Sequence, residues 1–256
     1  MANSWALVTG ATAGIGESFS RLLAGKNYNL VLVARDLPRL HERATALEAK
    51  FGIKTHVIQA DLATDDGCLS VEKYILENQI DVLINNAGFG TNKAFTMSTL
   101  EVEQQLLDVL VRTPMRLMHV ALPLMKQRNN GIIINVSSVA GYIAGGTYSA
   151  SKSYLTVLSE SLNTELSATN VKVSALCPGF TRTEFHQRGK MSMKGLPNFL
   201  WLNPDRLVEQ SWHDALKGEA VSIPGWQYKL LVFIVHTVPR SIVRKVGMNM
   251  RSKQRK

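Results

Sequence analysis

Cysteine is scarce in this 256-residue sequence: Cys68 and Cys177 lie far apart, and neither has a second Cys or a His at metal-ligand spacing. A disulfide-stapled scaffold and a zinc-type cluster are thereby excluded, and no metal site is expected. Two buried, reduced thiols in a cytoplasmic protein are the expectation. No basic stretch followed by an apolar one precedes the first apolar run at Trp5, so no secretory signal is expected. The apolar run 230–238 is too short to span a bilayer, and Pro239 interrupts it. Low-complexity tracts and internal repeats are also missing, which excludes a disordered or solenoid architecture.

Acidic residues are absent from the end of the chain. Glu219 is the last, and Lys229, Arg240, Arg244, Lys245, Arg251, Lys253, Arg255 and Lys256 follow it. These eight carry nearly all of the formal charge of +9, since of the 29 basic residues 21 remain against 20 acidic ones. A nucleic-acid-binding face needs basic residues across the body of a fold, so no nucleic acid partner is expected.

What is present is a globular composition, 45% hydrophobic and 19% charged, at a length ordinary for one α/β domain. Apolar, β-branched runs at 5–9, 29–34, 55–60, 81–84, 131–136 and 171–176 alternate with helical patterns at 15–25, 37–51, 65–78, 99–128, 147–168 and 204–217. Such alternation predicts a parallel sheet. Near-continuous strands such as Leu30-Val31-Leu32-Val33 need cover on both faces, which predicts a doubly wound, three-layered α/β sheet in one domain over 1–256. Its core is expected over 5–225. Residues 184–203 lack a clean period and mix Gly189, Gly195 and Pro197 with Phe199, Leu200 and Trp201, so they read as a mobile, partly apolar lid. Residues 226–256 form a basic tail.

After the first strand, Thr9-Gly10-Ala11-Thr12-Ala13-Gly14-Ile15-Gly16 leads straight into a helix. Gly10 permits a tight turn, Gly14 lets backbone approach a pyrophosphate, and Gly16 lets helix pack closely on sheet. The helix N-terminus offers free N–H groups and positive dipole to phosphate. Many strand-to-helix turns use glycine structurally, so the turn gains meaning only from the segments that accompany it further along the chain. Asn85-Asn86-Ala87-Gly88 ends the fourth strand and Ser137-Ser138 follows the fifth. Tyr148-Ser149-Ala150-Ser151-Lys152 then opens a helix, and Pro178-Gly179-Phe180-Thr181-Arg182-Thr183 follows the sixth strand. In this order the segments resemble the T-G-x-x-x-G-x-G, N-N-A-G, Y-x-x-x-K and P-G-x-x-x-T motifs of the short-chain dehydrogenase/reductase family. The resemblance covers residues 5 to about 185, with weaker similarity to about 225.

That resemblance implies a Rossmann-type oxidoreductase moving a hydride between nicotinamide and a carbonyl or alcohol carbon of a small, apolar substrate. It implies dinucleotide contacts from Gly10, Thr12, Gly14, Ile15 and Gly16 in the turn, and from Arg35, Asp61, Asn86, Gly88, Tyr148, Lys152, Thr181 and Thr183 beyond it. An acid at the end of the second strand would hold the ribose hydroxyls of NAD, but the sequence has Ala34 and then Arg35. A guanidinium there can pair with the 2′-phosphate, which points to NADP (NADPH). The alternative is that Arg35 is a solvated loop charge and Asp36 still serves NAD. Asp61 matches the aspartate that contacts the adenine amino group, and it could also cap the following helix. Asn86 and Gly88 would lie beneath the adenosine ribose, with Asn86 tying strands together. Thr181 and Thr183 would meet the nicotinamide amide and phosphate, or simply begin a helix.

Tyr148 and Lys152 at i and i+4 share one helix face, and such pairs are often only an exposed surface. Their place after the fifth strand matches the family's catalytic pair. Bringing a tyrosine from a pKa of about 10 to about 7 needs roughly 4 kcal/mol of differential stabilisation, which fixed cations can supply in a water-poor cleft. Tyr148 would be the acid for carbonyl reduction and the base for alcohol oxidation, and Lys152 would also hold the nicotinamide ribose. Ser138 rather than Ser137 aligns with the serine that stabilises the substrate oxygen. The sequence departs from the family twice. The gap from Ser138 to Tyr148 is shorter than usual, a tightness that Gly141, Gly145 and Gly146 could permit. Leu110 stands where the family usually has an asparagine holding a water in a proton relay to the lysine. Another group or solvent completes the relay, or else the chain is an NADP(H)-binding regulatory or scaffold protein with weak turnover.

Phe185, Leu196, Phe199 and Trp201 could cover an apolar substrate or pack on the body of the protein. In the tail, Ile242, Val243, Val246 and Met250 recur near helical spacing among Arg240, Arg244, Lys245 and Arg251. Two readings stay open: a basic amphipathic helix at an anionic membrane surface, giving peripheral membrane contact, or an oligomer contact with a solvated end. The long helices of this family commonly build homodimers and homotetramers, so an oligomer is expected.

Overall fold

The computed structural model describes residues 4–189, 191 and 195–244. Its centre is a parallel sheet in which successive side chains enter different cores. In β2 (Asn29–Ala34), Leu30 and Leu32 join one apolar cluster and Val31 and Val33 the other, all fully buried. The remaining strands are β1 (Trp5–Thr9), β3 (Thr55–Gln59), β4 (Val82–Asn85), β5 (Gly131–Val136), β6 (Val171–Leu176) and β7 (Val221–Ser222). Their order is β3-β2-β1-β4-β5-β6-β7, with every pairing parallel.

One face is covered by α1 (Gly14–Gly25), α2 (Leu37–Phe51) and α8 (Pro204–Leu216), whose Phe19, Leu23, Leu40 and Trp212 pack on Leu30 and Ile84. The opposite face is covered by α3 (Asp65–Glu77), α5 (Thr113–Arg128) and α6 (Thr147–Glu165), through Val71, Ile75, Leu117, Met125 and Leu155. The chain therefore has the three-layered, doubly wound Rossmann-type fold expected of it. Truncating a fully buried leucine such as Leu30 or Leu83 to alanine costs about 2–5 kcal/mol.

Sheet order fixes the site. The chain leaves β1 toward β2 and later returns to β4 on the other side of β1. Connections diverge there, and a crevice opens beyond the carboxyl ends of β1 and β4.

Three features differ from the expected elements. The helical stretch at 99–128 is α4 (Leu100–Leu107), a π-helical turn (Asp108–Arg112) and α5. Pro114 explains the break: it has no N–H to close an ordinary turn, and the ladder widens so that Thr113 N–H reaches the Asp108 carbonyl. The two-residue β7 is too short to read from sequence. Residues 226–256 do not begin as a tail, because α9 (Trp226–Thr237) packs onto the domain.

The region expected to be a lid contains α7 (Phe185–Arg188) and a 3-10 turn (Asn198–Leu200). A further helical turn occupies 240–244, and most of the predicted amphipathic helix lies outside the described residues. Among the described residues, no helix is long and apolar enough to cross a membrane. Cys68 and Cys177 are free thiols and both are buried.

Candidate active site

The turn after β1 and the segment after β4 form the floor of one continuous cavity of about 1230 Å³. Gly10 adopts φ +65°, and a Cβ on it would come within 2.8 Å of Asn86 Nδ2. Gly16 faces inward: its Cβ would sit 2.3 Å from the Gly10 carbonyl oxygen, so this glycine lets α1 close on the sheet. Gly14, Thr12 and Ile15 face the cavity, with Gly14 pressed against Thr183. Asn86 donates through Nδ2 to the carbonyls of Thr9 (2.8 Å) and Gly10 (3.1 Å), and its N–H donates to Thr9 Oγ1 at 2.9 Å. It therefore clamps the ends of β1 and β4 together while lining the crevice.

At one end of the cavity stand Arg35, Asp36 and Asp61. Asp36 caps α2, accepting from Arg39 N–H at 3.0 Å, whereas the exposed Arg35 lies at the crevice edge with its carbonyl held by Gln59 Nε2 at 3.0 Å. Asp61 Oδ1 accepts from Ala63 N–H at 3.0 Å. Asp61 is not the cap of α3. Thr64 has that role, accepting from Gly67 N–H at 3.1 Å, which leaves the outer edge of Asp61 toward the cavity. A pocket with a glycine floor, the exposed N-terminus of α1 and a guanidinium beside it suits a phosphorylated dinucleotide.

Tyr148 and Lys152 occupy the first turns of α6, with Lys152 Nζ 5.7 Å from the Tyr148 ring centre. Lys152 is buried and donates to the Val136 carbonyl at 2.6 Å. Burial pushes its ammonium down to about 8. The two serines differ in their surroundings. Ser137 is buried, donating to the Lys152 carbonyl and meeting Thr156 Oγ1, each at 2.7 Å. Ser138 is half-buried, accepts from Ala140 N–H at 3.1 Å, and makes only a 3.4 Å contact to the Pro178 carbonyl as donor. Its hydroxyl has capacity left for a ligand oxygen.

The short connection from Ser138 to Tyr148 is a 3-10 turn (Val139–Tyr142) followed by Gly146 at φ +84°. A Cβ on Gly141 would lie 2.9 Å from Ser153 N, so this glycine brings the loop onto α6. Gly88 is equally constrained, since its Cβ would lie 2.9 Å from Leu110 Cδ2 and 4.0 Å from Lys152 Nζ. Leu110 is thus buried beside the lysine, at the π-helical turn. Thr181 is buried and its hydroxyl donates to the Gly179 carbonyl at 3.0 Å; Thr183 accepts from Phe185 N–H at 3.4 Å.

The far end of the cavity is apolar, and sequence reasoning missed what builds it. Leu231, Ile234, Val235 and Val238 of α9 and the residue after it line this wall. Their spacing is visible in the sequence, but it fits a membrane or subunit contact equally well. Tyr228 anchors α9: its ring fills the space beside Gly179, and its hydroxyl accepts from Phe180 N–H at 2.9 Å and donates to the Leu200 carbonyl. Of the aromatic residues expected to cover the site, Phe185 lines it, 5.9 Å from the Tyr148 ring. Trp201 packs instead on Phe180 and His186, and Phe199 is 61% exposed. Glu184 lines the cavity and accepts both ends of the Arg39 guanidinium, at 3.2 and 2.6 Å. The Arg39 hydrogen bonds, aided by Arg188, hold its carboxyl down to about 2.

Known proteins share this fold. Residues 4–193 match the short chain dehydrogenase family pattern. A short-chain dehydrogenase from Sphingobium yanoikuyae, solved in complex with NADPH, superposes with a TM-score of 0.84 at 31% identity, covering 91% of this chain and 94% of that one. The bulky-bulky ketone specific alcohol dehydrogenase from Comamonas testosteroni gives 0.80 at 29% identity, covering 93% of each chain. Among curated proteins, the very-long-chain 3-oxoacyl-CoA reductase-A of Danio rerio is 26% identical over 98% of this chain and 79% of its own length. The corresponding reductase of Laccaria bicolor is 34% identical over 74% of this chain but only 58% of its own length. The chain belongs to the short-chain dehydrogenases, oxidoreductases acting on CH–OH and C=O groups.

Proposed function

We propose that this protein is an NADPH-dependent reductase of an apolar carbonyl compound, working equally as dehydrogenase of the matching alcohol. The observation that carries the reading is that Tyr148 lines one cavity together with the glycine turn after β1 and the apolar residues of α9. When bound, the dinucleotide supplies or accepts the hydride. Tyr148 gives its phenolic proton to the forming alkoxide, or takes it from the alcohol. Lys152 makes that phenol more acidic by favouring phenolate, and Ser138 donates a hydrogen bond to the substrate oxygen. Arg35, exposed and lining the cavity at the end of β2 while Asp36 caps α2 through Oδ1, supports preference for the 2′-phosphate. Gly10, Gly14, Asp61, Asn86 and Thr183 line the cavity and would hold the coenzyme.

The outward face of α9 supports a peripheral membrane contact. Trp226, Leu230 and Phe233 are 72, 50 and 65% exposed at helical spacing, and Lys229, Arg240 and Arg244 flank them. A homodimer or homotetramer through α4, α5 and α6 remains part of the reading. One observation favours a coenzyme-binding protein without turnover: the buried, apolar Leu110 beside Lys152. NADPH oxidation across a panel of ketones and aldehydes, repeated with Tyr148→Phe, separates the readings. Turnover should fall by about 10²–10⁴-fold in the variant. Turnover that survives the substitution would remove Tyr148 as the acid, and NADPH binding without turnover on any carbonyl would favour the second reading.

A further inference from the structure

The Leu110 side chain offers Lys152 no polar atom, yet a polar side chain borders the same small cavity. Asn85, the last residue of β4, is 5% exposed, and its Oδ1 accepts no hydrogen bond from the protein. Neighbouring bonds fix which end of this amide is the oxygen. The Ser159 hydroxyl donates to the Leu155 carbonyl at 2.6 Å, so Ser159 Oγ must accept from Asn135 Nδ2 at 2.9 Å. Asn135 Oδ1 is then the acceptor for Asn85 Nδ2 at 2.9 Å. With the amide of Asn135 oriented in this way, Asn85 presents Nδ2 to Asn135, and its Oδ1 is left over as an acceptor.

Asn85 and Lys152 together line a small cavity of about 10 Å³, walled by Val109, Leu110, Pro114 and Leu155. That is room for one water molecule, provided polar partners surround it. Lys152 Nζ has three N–H bonds and gives one to the Val136 carbonyl. The π-helical turn adds an acceptor: Pro114 has no N–H, so the carbonyl opposite it loses its helical donor, that of Leu110 in α-helical register or Val109 in π-helical register. Both residues border the cavity.

We infer that Asn85 is a positioning residue for the proposed reaction: it holds, through Oδ1, a water that accepts from Lys152 Nζ and keeps this buried amine charged beside Tyr148. Lys152 donates to the water oxygen, and the water's two protons go to Asn85 Oδ1 and to the carbonyl freed by Pro114. The asparagine that the family places at Leu110 is thus replaced by one at the end of β4. This inference rests on the reading of Tyr148 and Lys152 as the reacting pair. Cys177, just past β6, is the other ionisable group acting on Lys152; burial raises its thiol pKa, which keeps it neutral.

The test reads the ionisation of Tyr148 rather than turnover. Near-ultraviolet difference titration of the NADP⁺-bound protein against its Tyr148→Phe variant gives the midpoint for this phenol directly. In Asn85→Ser the midpoint should rise by about one pH unit, and the acid limb of alcohol oxidation should move up with it. Adding Leu110→Asn, which returns an amide oxygen to the lysine, should bring the midpoint back. Ser159→Ala cuts the far end of the amide chain and should lower thermal stability with the midpoint in place. An Asn85→Ser protein that loses stability or rate while its Tyr148 midpoint stays put gives Asn85 a purely structural role and overturns the inference. So does a crystal structure of the NADP⁺ complex showing no water within hydrogen-bond distance of both Asn85 Oδ1 and Lys152 Nζ. A wild-type protein that binds NADPH, titrates as expected and yet reduces no carbonyl overturns the enzymatic reading alone.

Discussion

The two ends of the cavity are built in different ways. The end proposed for the coenzyme is made mostly of backbone, glycines at 10, 14 and 16 and the start of α1, with the Asn86 amide clamping β1 to β4. The end proposed for the substrate is made of side chains, Phe185 from the segment after β6 and Leu231, Ile234 and Val235 from α9. A wall of backbone tolerates almost no added atom, whereas a wall of side chains can be resized one methylene at a time. The first arrangement suits a ligand that never changes, and the second suits one that differs among related enzymes.

Gly16→Ala is the most severe way to break the backbone end. The added Cβ would lie 2.3 Å from the Gly10 carbonyl oxygen, so α1 must move off the sheet and carry the phosphate-binding turn with it. The expected outcome is a fall of about a hundredfold or more in kcat/KM. A stability loss of about 1–3 kcal/mol, read as a lower Tm, should accompany it. A variant with wild-type Tm and kinetics would show that the helix N-terminus does not position the coenzyme.

Arg35→Ala tests the same end through charge. NADPH should bind about 10–100-fold more weakly, the range lost with a charge-assisted hydrogen bond, while NADH affinity stays within about twofold. Equal weakening of both coenzymes in titration calorimetry would return Arg35 to the status of a solvated loop residue. At the other end, Leu231→Ala should lower kcat/KM about five- to tenfold for bulky apolar ketones. Small carbonyls, which do not reach α9, should change little. A uniform loss across substrates would mean that α9 supports the fold rather than the substrate.

The same contrast explains what could be read in advance. Backbone sites leave a signature because only particular residues permit them: Gly16 is there since nothing larger fits, and Asn86 since its amide spans two carbonyls. Tyr148 and Lys152 share a spacing common on helix surfaces, and their place after the fifth strand singled them out for the proposed chemistry. The apolar wall left no such mark. Leu231 and Val235 could face a ligand, a lipid or another subunit, and only the packing of Tyr228 against Gly179 decides which way α9 turns. The interruption at Asp108–Arg112 was readable in principle from Pro114, yet a proline early in a helix is usually innocent. Asp61 has the chemistry of a helix cap, but a second candidate, Thr64, stands three residues later and wins the geometry.

Glu184 joins the two ends, and its effect is the smallest expected. Its carboxylate, beside the phosphate turn, binds Arg39 of α2 and Arg188 of α7, so it ties the base of the substrate wall to the coenzyme end. The pair is partly exposed, 25% for Arg39 and 43% for Glu184, and solvent screening limits its worth to about 0–1 kcal/mol. Because the folded carboxyl is lowered from 4.5 to about 2, folding favours the ionised form. The stabilisation is therefore fully present above 4.5, and it is lost as pH falls from 4.5 through about 2. Glu184→Gln should melt slightly below the wild type at neutral pH, and the two melting curves should converge as the solution is acidified through that window. Curves that stay apart at the acid end would mean that the glutamine acts through packing rather than through the lost charge, and the strap between the two ends would then be steric.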